Sequence, residues 1–431
     1  NILFKVLEII FIFVFFQITS TMERNNSVFL LVLIFTIIIL PVFTYNNFKN
    51  CEFLPSDMPQ QILCDGNLIP PLETNINQNF SNVELLYISN LHNVSLELIP
   101  TVSPLTVIIE NVDFLTLVKV VNKVHSISIS NVKEMRLKES ALSNVYDLYT
   151  LRLLNIKHFI IDSNAIHDIT VKFNVEFLNV EKIKIENRSI SLQSQIFRMI
   201  NCHIDELPTG SAHITAQSAY LKNSTISVLY SKSLEINAKN MIAIMENAFQ
   251  NVHDESLNLK SHNIIIKNNF FKTLPAKSLK NLSVRNKIHF IKNTIHDIDL
   301  GGVLLNNDYK NFIFKDNIIK CNCLPTLTSI LRPQHEFPIL NNIQDEILEL
   351  NFCKTSCNMT LMDFSYVLQN ESFCENHQSD LAEEKLCDLL KNITRKEPSL
   401  YDSFNHSSKL NEKMCFLFII MNIITFFMWN N

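Results

Sequence analysis

The sequence predicts an α/β to mainly-β solenoid, in which short parallel strands stack turn upon turn and cysteines close the two ends. Three observations carry this expectation. An alternating apolar pattern recurs at a constant step, an asparagine recurs in register with it, and cysteines gather before and after the repeats.

The step is clearest in three segments: "IIIKNNFF" from Ile264, "IHFIKNTI" from Ile288 and "FIFKDNII" from Phe312. Their starts are 24 residues apart. Ile264, Ile288 and Phe312 form one column, Ile266, Phe290 and Phe314 a second, and Phe271, Ile295 and Ile319 a third. Apolar residues alternating along a short run give a strand with one inward face. Asn269, Asn293 and Asn317 fall between the second and third columns. At the end of a strand an inward asparagine can bond the backbone of the adjacent turn, so the three predict an asparagine ladder.

Upstream the pattern is looser. "YISNL", "IIENV", "SISNV", "RLLNI", "KIENR" and "RMINC" carry Asn90, Asn111, Asn131, Asn155, Asn187 and Asn201, mostly 20 to 24 residues apart. Each lacks one residue before the asparagine relative to the later repeats, so a different turn geometry is expected. "ENAFQNV" (246–252) reads as the segment that follows a strand on the far side of a turn, and the register over 157–260 is not fixed by the pattern. The apolar-x-apolar-x-x-Asn-x-apolar segment resembles the strand of a leucine-rich repeat, with Ile and Phe largely in place of Leu. That resemblance covers about residues 246–374 and weakly 80–245. It implies a leucine-rich-repeat-like solenoid with disulfide caps, the alternative being a right-handed parallel β-helix; both bury a continuous core between stacked turns.

The resemblance also gives the Cys-x-Cys of "CNCL" a place. Extracellular members of that family end in a cap that opens with Cys-x-Cys and continues with later cysteines, an order matched by Cys321, Cys323, Cys353 and Cys374. Cys357 and Cys387 exceed the usual count, no proline follows Asn317, and the tryptophan usual in the following helix is missing. Cys51 and Cys64 suit a small N-terminal cap. These eight are expected in disulfides of undetermined connectivity. Cys202 is expected to be a buried free thiol. The remaining cysteines lack the second paired spacing of a structural zinc site, so no metal is expected.

Export is expected on other grounds. Residues 1–21 precede the first methionine, Met22, and read as upstream sequence. Residues 22–44 read as a signal peptide, with a short polar start, the apolar run 28–40 and small residues before cleavage. Asn-x-Ser/Thr acceptors for glycans fall at Asn79, Asn93, Asn187, Asn223, Asn281, Asn358, Asn370, Asn392 and Asn405. The expected order is then an N-terminal cysteine cap (45–80), the solenoid (81–318), a C-terminal cysteine-rich cap (319–395), a polar spacer (396–414) and an apolar tail (415–431). That tail, "CFLFIIMNIITFFMW", would reach about 22 Å as a helix, short of a bilayer core. Preceded by Asn405, Ser407 and Ser408 as lipid-attachment candidates, it suits a GPI signal, with a single C-terminal span as the alternative. The expected place is the extracellular face of the plasma membrane, or secretion.

Composition excludes several functions. A net charge of −5 gives no reason to expect nucleic acid, and 4 glycines in 431 residues leave little for glycine-rich phosphate loops. No nucleophile-elbow, zinc-protease or P-loop motif is present, and the nearest acid–base cluster, "CHIDEL" with His203, Asp205 and Glu206, reads as a solvated turn. No catalytic residue and no cofactor is expected. The expected work is binding an extracellular protein ligand or receptor, in adhesion, recognition or as a co-receptor. The competing readings are a β-helix acting on carbohydrate and a structural coat protein. Ile265, His289 and Ile313, with Lys267, Ile291 and Lys315, alternate with the inward columns and are expected on the concave binding surface.

Overall fold

The computed structural model describes residues 51–54, 61–66, 74–78, 83–98, 104–120, 123–143, 145, 147–299, 302–303, 311–321, 344–355, 357–370 and 387–392. The proposed signal peptide, spacer, lipid-attachment residues (Asn405, Ser407, Ser408) and apolar tail lie outside them, as do Asn79, Cys323 and Cys374.

The chain is a mainly-β solenoid of stacked parallel strands. Each turn rounds a corner at one residue of positive φ: Asn90, Asn111, Asn131, Asn155, Asn179, Asn201 and Asn223, then Glu246, Asn268, Lys292 and Asp316. Asparagine dominates this column because it tolerates the left-handed region better than most side chains. The strand before the corner and the strand after it both pair with the turns above and below. Thus Leu105–Val120 pairs through its first half with Leu85–Ser89 and through its second with Asn93–Leu98. From Ile166 a third strand joins each turn, as Ile190, Ala212, Leu234 and Leu257 align with one another. A register shift after it, as between Ala216 and Ser218, marks the bend into the next side. The step between corner asparagines is 20 residues from Asn111 to Asn131, 24 from Asn131 to Asn155 and from Asn155 to Asn179, and 22 in the next two turns. Strands distributed over successive sides of a turn are the arrangement of the parallel β-helix alternative.

A second corner closes the three-sided turns. Asn164, Arg188, Gly210, Lys232, Glu255 and Lys277 have positive φ there, and each precedes a small buried residue: Ala165, Ser189, Ser211, Ser233, Ser256 and Ser278. Backbone bonds such as Ser211 N–H to Pro208 O and Ser278 N–H to Pro275 O are those of tight turns.

The predicted columns hold. Ile264, Ile288 and Phe312 pair in register, as do Ile266, Phe290 and Phe314, and all six are buried. Phe249, Phe271, Phe290 and Phe314 stack inside with ring centroids 4.9 to 5.7 Å apart. Each such side chain contributes about 1.5–3 kcal/mol by leaving water.

The ladder is longer than the three predicted asparagines. Asn247, Asn269, Asn293, Asn317 and Asn351 are all buried, and each of the first four donates through Nδ2 to the Oδ1 of the next. The same Nδ2 also reaches a carbonyl of the preceding turn, such as Ile266 O from Asn293. The same inward position upstream is held by Val112, Val132, Ile156, Val180, Cys202 and Ser224. The column therefore changes from apolar to polar through two intermediates: the Cys202 thiol lies 3.4 Å from Phe177 O, and Ser224 Oγ accepts from Cys202 N–H. Cys202 is a buried free thiol as expected, although Asn201 beside it is exposed at the corner.

Upstream, the corner asparagines form a different, exposed ladder. Nδ2 of Asn111, Asn131, Asn155, Asn179, Asn201 and Asn223 donates to Oδ1 of the preceding corner asparagine at 2.7–3.2 Å. Asn179 and Asn223 belong to it; Asn187, grouped with this series from the sequence, instead sits exposed in a turn beside Arg188.

Both ends are closed by cysteines. Cys51–Leu54 runs antiparallel to Gln61–Asp65, and Cys51 and Cys64 are directly opposed and bonded. An antiparallel strand there covers an edge that would otherwise be open to pairing. At the other end Phe352–Cys353 adds to Ile318–Ile319, and Cys321–Cys353 fastens it. Helix Gln344–Glu349 leads into Asn351, whose Nδ2 bonds Ile347 O and Phe314 O and so ends the ladder on the cap. Helix Leu361–Asn370 starts with a reciprocal pair, Asp363 N–H to Thr360 Oγ1 and Thr360 N–H to Asp363 Oδ2. Cys357–Cys387 ties the segment after that helix back to its start.

Candidate partner-binding face

The strand that precedes the asparagine corner gives every turn a side whose outward residues lie in straight rows. The middle row runs Ser128, Arg152, Glu176, Arg198, Tyr220, Ala243, Ile265, His289 and Ile313. A second row lies nearer the corner, with Leu154, Leu178, Ile200, Lys222, Met245, Lys267, Ile291 and Lys315.

The six residues expected on a binding surface are all on this side and point outward. Ile265, His289 and Ile313 are paired neighbours in one row, and Lys267, Ile291 and Lys315 in the other. Lys315 is exposed and the other five are half-buried. In-register packing explains this, since each side chain leans on its copies about 4.8 Å away. Tyr220, Met241 and Met245 extend the apolar surface toward the N-terminus, and Ala243 is covered between them. Burial lowers the His289 pKa, and the positive charges of Lys287 and Lys315 lower it further, so His289 is neutral at neutral pH.

Next along the row stands a charged cluster. Glu176 accepts from Arg152 Nε at 2.8 Å and from Arg198 Nη1 at 2.7 Å, and its side chain is only 6% exposed. Burial opposes its ionisation, but bonds from Asn174, Arg198 and Arg152 outweigh that and lower its pKa. Arg198 also sits 6.0 Å over the Tyr220 ring. At the bend leading into this side His125, Tyr149 and Phe173 stack at 5.3 and 5.5 Å, and Tyr149 and Phe173 are among the most exposed large apolar side chains described.

His203 and Asp205 lie on the next side, where Nε2 and Oδ1 are 3.3 Å apart and Lys182 bonds the same carboxylate. All three are partly open to water, but "CHIDEL" lies within the strand Ile190–Leu207 and not in the turn expected from the sequence. Of the glycan acceptors, Asn187, Asn358 and Asn392 are exposed, Asn93 and Asn281 half-buried, and Asn223 is exposed within the corner ladder. Asn370 ends a helix, and Asn405 is outside the described residues. Among the described residues no three His, Cys, Asp or Glu side chains converge, and no helix is long and apolar enough to cross a membrane.

A shallow open groove runs along the corner between Asn155, Asn179 and Asn201, with Lys157 and Glu181 on its walls. Comparison with family models, with curated proteins and with solved structures found no match.

Proposed function

We propose that this protein is an extracellular binding scaffold that holds a protein partner against the outward side running from Arg152 to Ile313. The observation that carries the reading is the apolar run of Tyr220, Met245, Ile265, Ile291 and Ile313 in adjacent rows, bordered by lysines and by the Arg152–Glu176–Arg198 cluster. Aromatic and arginine anchors beside aliphatic side chains are the composition of interface centres. Eight stacked strands of about five residues span roughly 600 Å² by standard strand spacings, close to the ~800 Å² that one partner buries in an ordinary complex.

Disulfides at both ends support an oxidising compartment, and with it export, glycosylation and a tether by lipid or C-terminal span. Adhesion, recognition and co-receptor roles all fit such a scaffold. Carbohydrate cleavage fits less well: Glu176, the buried carboxylate of this side, is held ionised by two guanidiniums and is a poor proton donor at neutral pH. A structural coat would need no saturable partner. The test is saturable binding of the purified full chain to an array of cell-surface proteins, compared with Ile291→Asp and Ile313→Asp. Loss of binding with normal secretion and unchanged melting supports the reading. Unchanged binding refutes it.

A further inference from the structure

Lysines frame the C-terminal half of this face. Lys267 and Lys315 lie two strands apart in one row, hence about 10 Å from each other. Lys287 lies on the opposite flank, two residues before His289, with Ile265, Ile291 and Ile313 between the flanks. No carboxylate of the described residues pairs with any of these three lysines, whereas Lys133, Lys172, Lys182, Lys222 and Lys280 all have acidic partners. Positive charge therefore accumulates around an apolar centre and is left without a paired carboxylate among the described residues.

Resting on the binding role proposed above, the geometry points to the partner's chemistry: an acidic protein surface that presents carboxylates around an aliphatic or aromatic anchor. The anchor meets Ile265, Ile291 and Ile313, and the carboxylates meet Lys267, Lys287 and Lys315. Two other anionic classes match less of the face. A sulfated glycan would satisfy the lysines but has nothing to cover three isoleucines with. A lipid surface calls for side chains that protrude and insert, and these isoleucines are half-buried among their strand neighbours. Burial is the main cause of the lowered His289 pKa, and the positive charges of Lys287 and Lys315 lower it further. Charges at such a rim act mainly through the association rate and the choice of partner, and both weaken with salt.

The test uses the purified full chain, with a displayed library of random peptides as probe and with heparin and phosphatidylserine vesicles as the competing classes. Selection is expected to enrich Asp and Glu around Ile, Leu, Val or Phe. The selected peptides should lose affinity at least about tenfold in Lys267→Glu/Lys315→Glu and should weaken as salt is raised. Ile291→Asp should abolish their binding. Peptides that need Ile291 but carry no acidic excess overturn the inference and leave the binding face standing. Peptides indifferent to both variants overturn the inference and the binding face together. Heparin or vesicle retention that falls in the lysine variant, while peptide binding does not, assigns the lysines to a glycan or a lipid and overturns the inference as well.

Discussion

Removing one amide from the inner ladder tests the packing logic of the fold most sharply. The Asn293 side chain is fully buried and makes four bonds. Its Oδ1 accepts from the Asn269 backbone N–H at 2.9 Å and from Asn269 Nδ2 at 3.0 Å. Its Nδ2 donates to Ile266 O at 3.0 Å and to Asn317 Oδ1 at 3.1 Å. In Asn293→Ala the Asn269 N–H loses its partner outright, while the other three groups each lose one of their bonds. One orphaned buried donor costs about 1–3 kcal/mol and the lost bonds add to it, so a destabilisation of about 2–4 kcal/mol is expected. Lys292, one residue earlier, has its side chain in water and φ near 56°, so Lys292→Ala should change little. Denaturant titration followed by circular dichroism measures the global cost, and hydrogen exchange at the Asn269 amide reads the orphaned group itself. Equal losses for the two variants, or unchanged exchange at Asn269, would refute the ladder reasoning.

Cys202 should resist alkylation in the native chain and react fully once unfolded, because burial raises its pKa to about 11. A thiol whose folded pKa lies above its unfolded value gives stability that is lost as pH rises from about 9 to 11; Cys202→Val, matching Val180 above it, should lack that loss. Glu176→Gln should cost about 1–2 kcal/mol at neutral pH, since its arginines are half-exposed. The lowered pKa of Glu176 gives stability present above its unfolded value and lost as pH falls through its folded value, so the wild type and Glu176→Gln should converge in melting experiments as pH falls below the ordinary carboxylate range. Non-reducing peptide mapping should find Cys51–Cys64, Cys321–Cys353 and Cys357–Cys387, and Cys202 reduced; a zinc-bound or free Cys321 would contradict the cap.

The repeats from Ile264 to Ile319 were legible because neighbouring turns there carry like residues at a constant step, and strand alternation then assigned both faces. Asn247 and Asn351 escaped the pattern because they sit 22 and 34 residues from their ladder neighbours. The inner column was also hidden by its chemistry. Val180, Cys202, Ser224 and Asn247 occupy one structural position but share no residue type, so a search for similarity passes over them. Asn187 stands in the expected corner series although Arg188 follows it, while Asn179, the true corner residue, was passed over despite having in "FLNV" apolar neighbours like those of Asn155 in "LLNI". The Arg152–Glu176–Arg198 cluster joins residues 24 and 22 apart, and such a contact exists only once the register between turns is known. The serine column of the second corner needs a third strand per turn, which apolar alternation alone did not reveal.

The proposed binding role puts a partner on the side carrying Ile291. A photo-crosslinking amino acid placed at position 291 of the full chain, with the same group at the exposed Glu134 on the next side as its control, measures this on the cell surface. A crosslinked adduct from position 291, competed by unlabelled protein and missing from position 134, is the expected result. Adducts from position 134 alone, or equally from both, would contradict the assignment of this face.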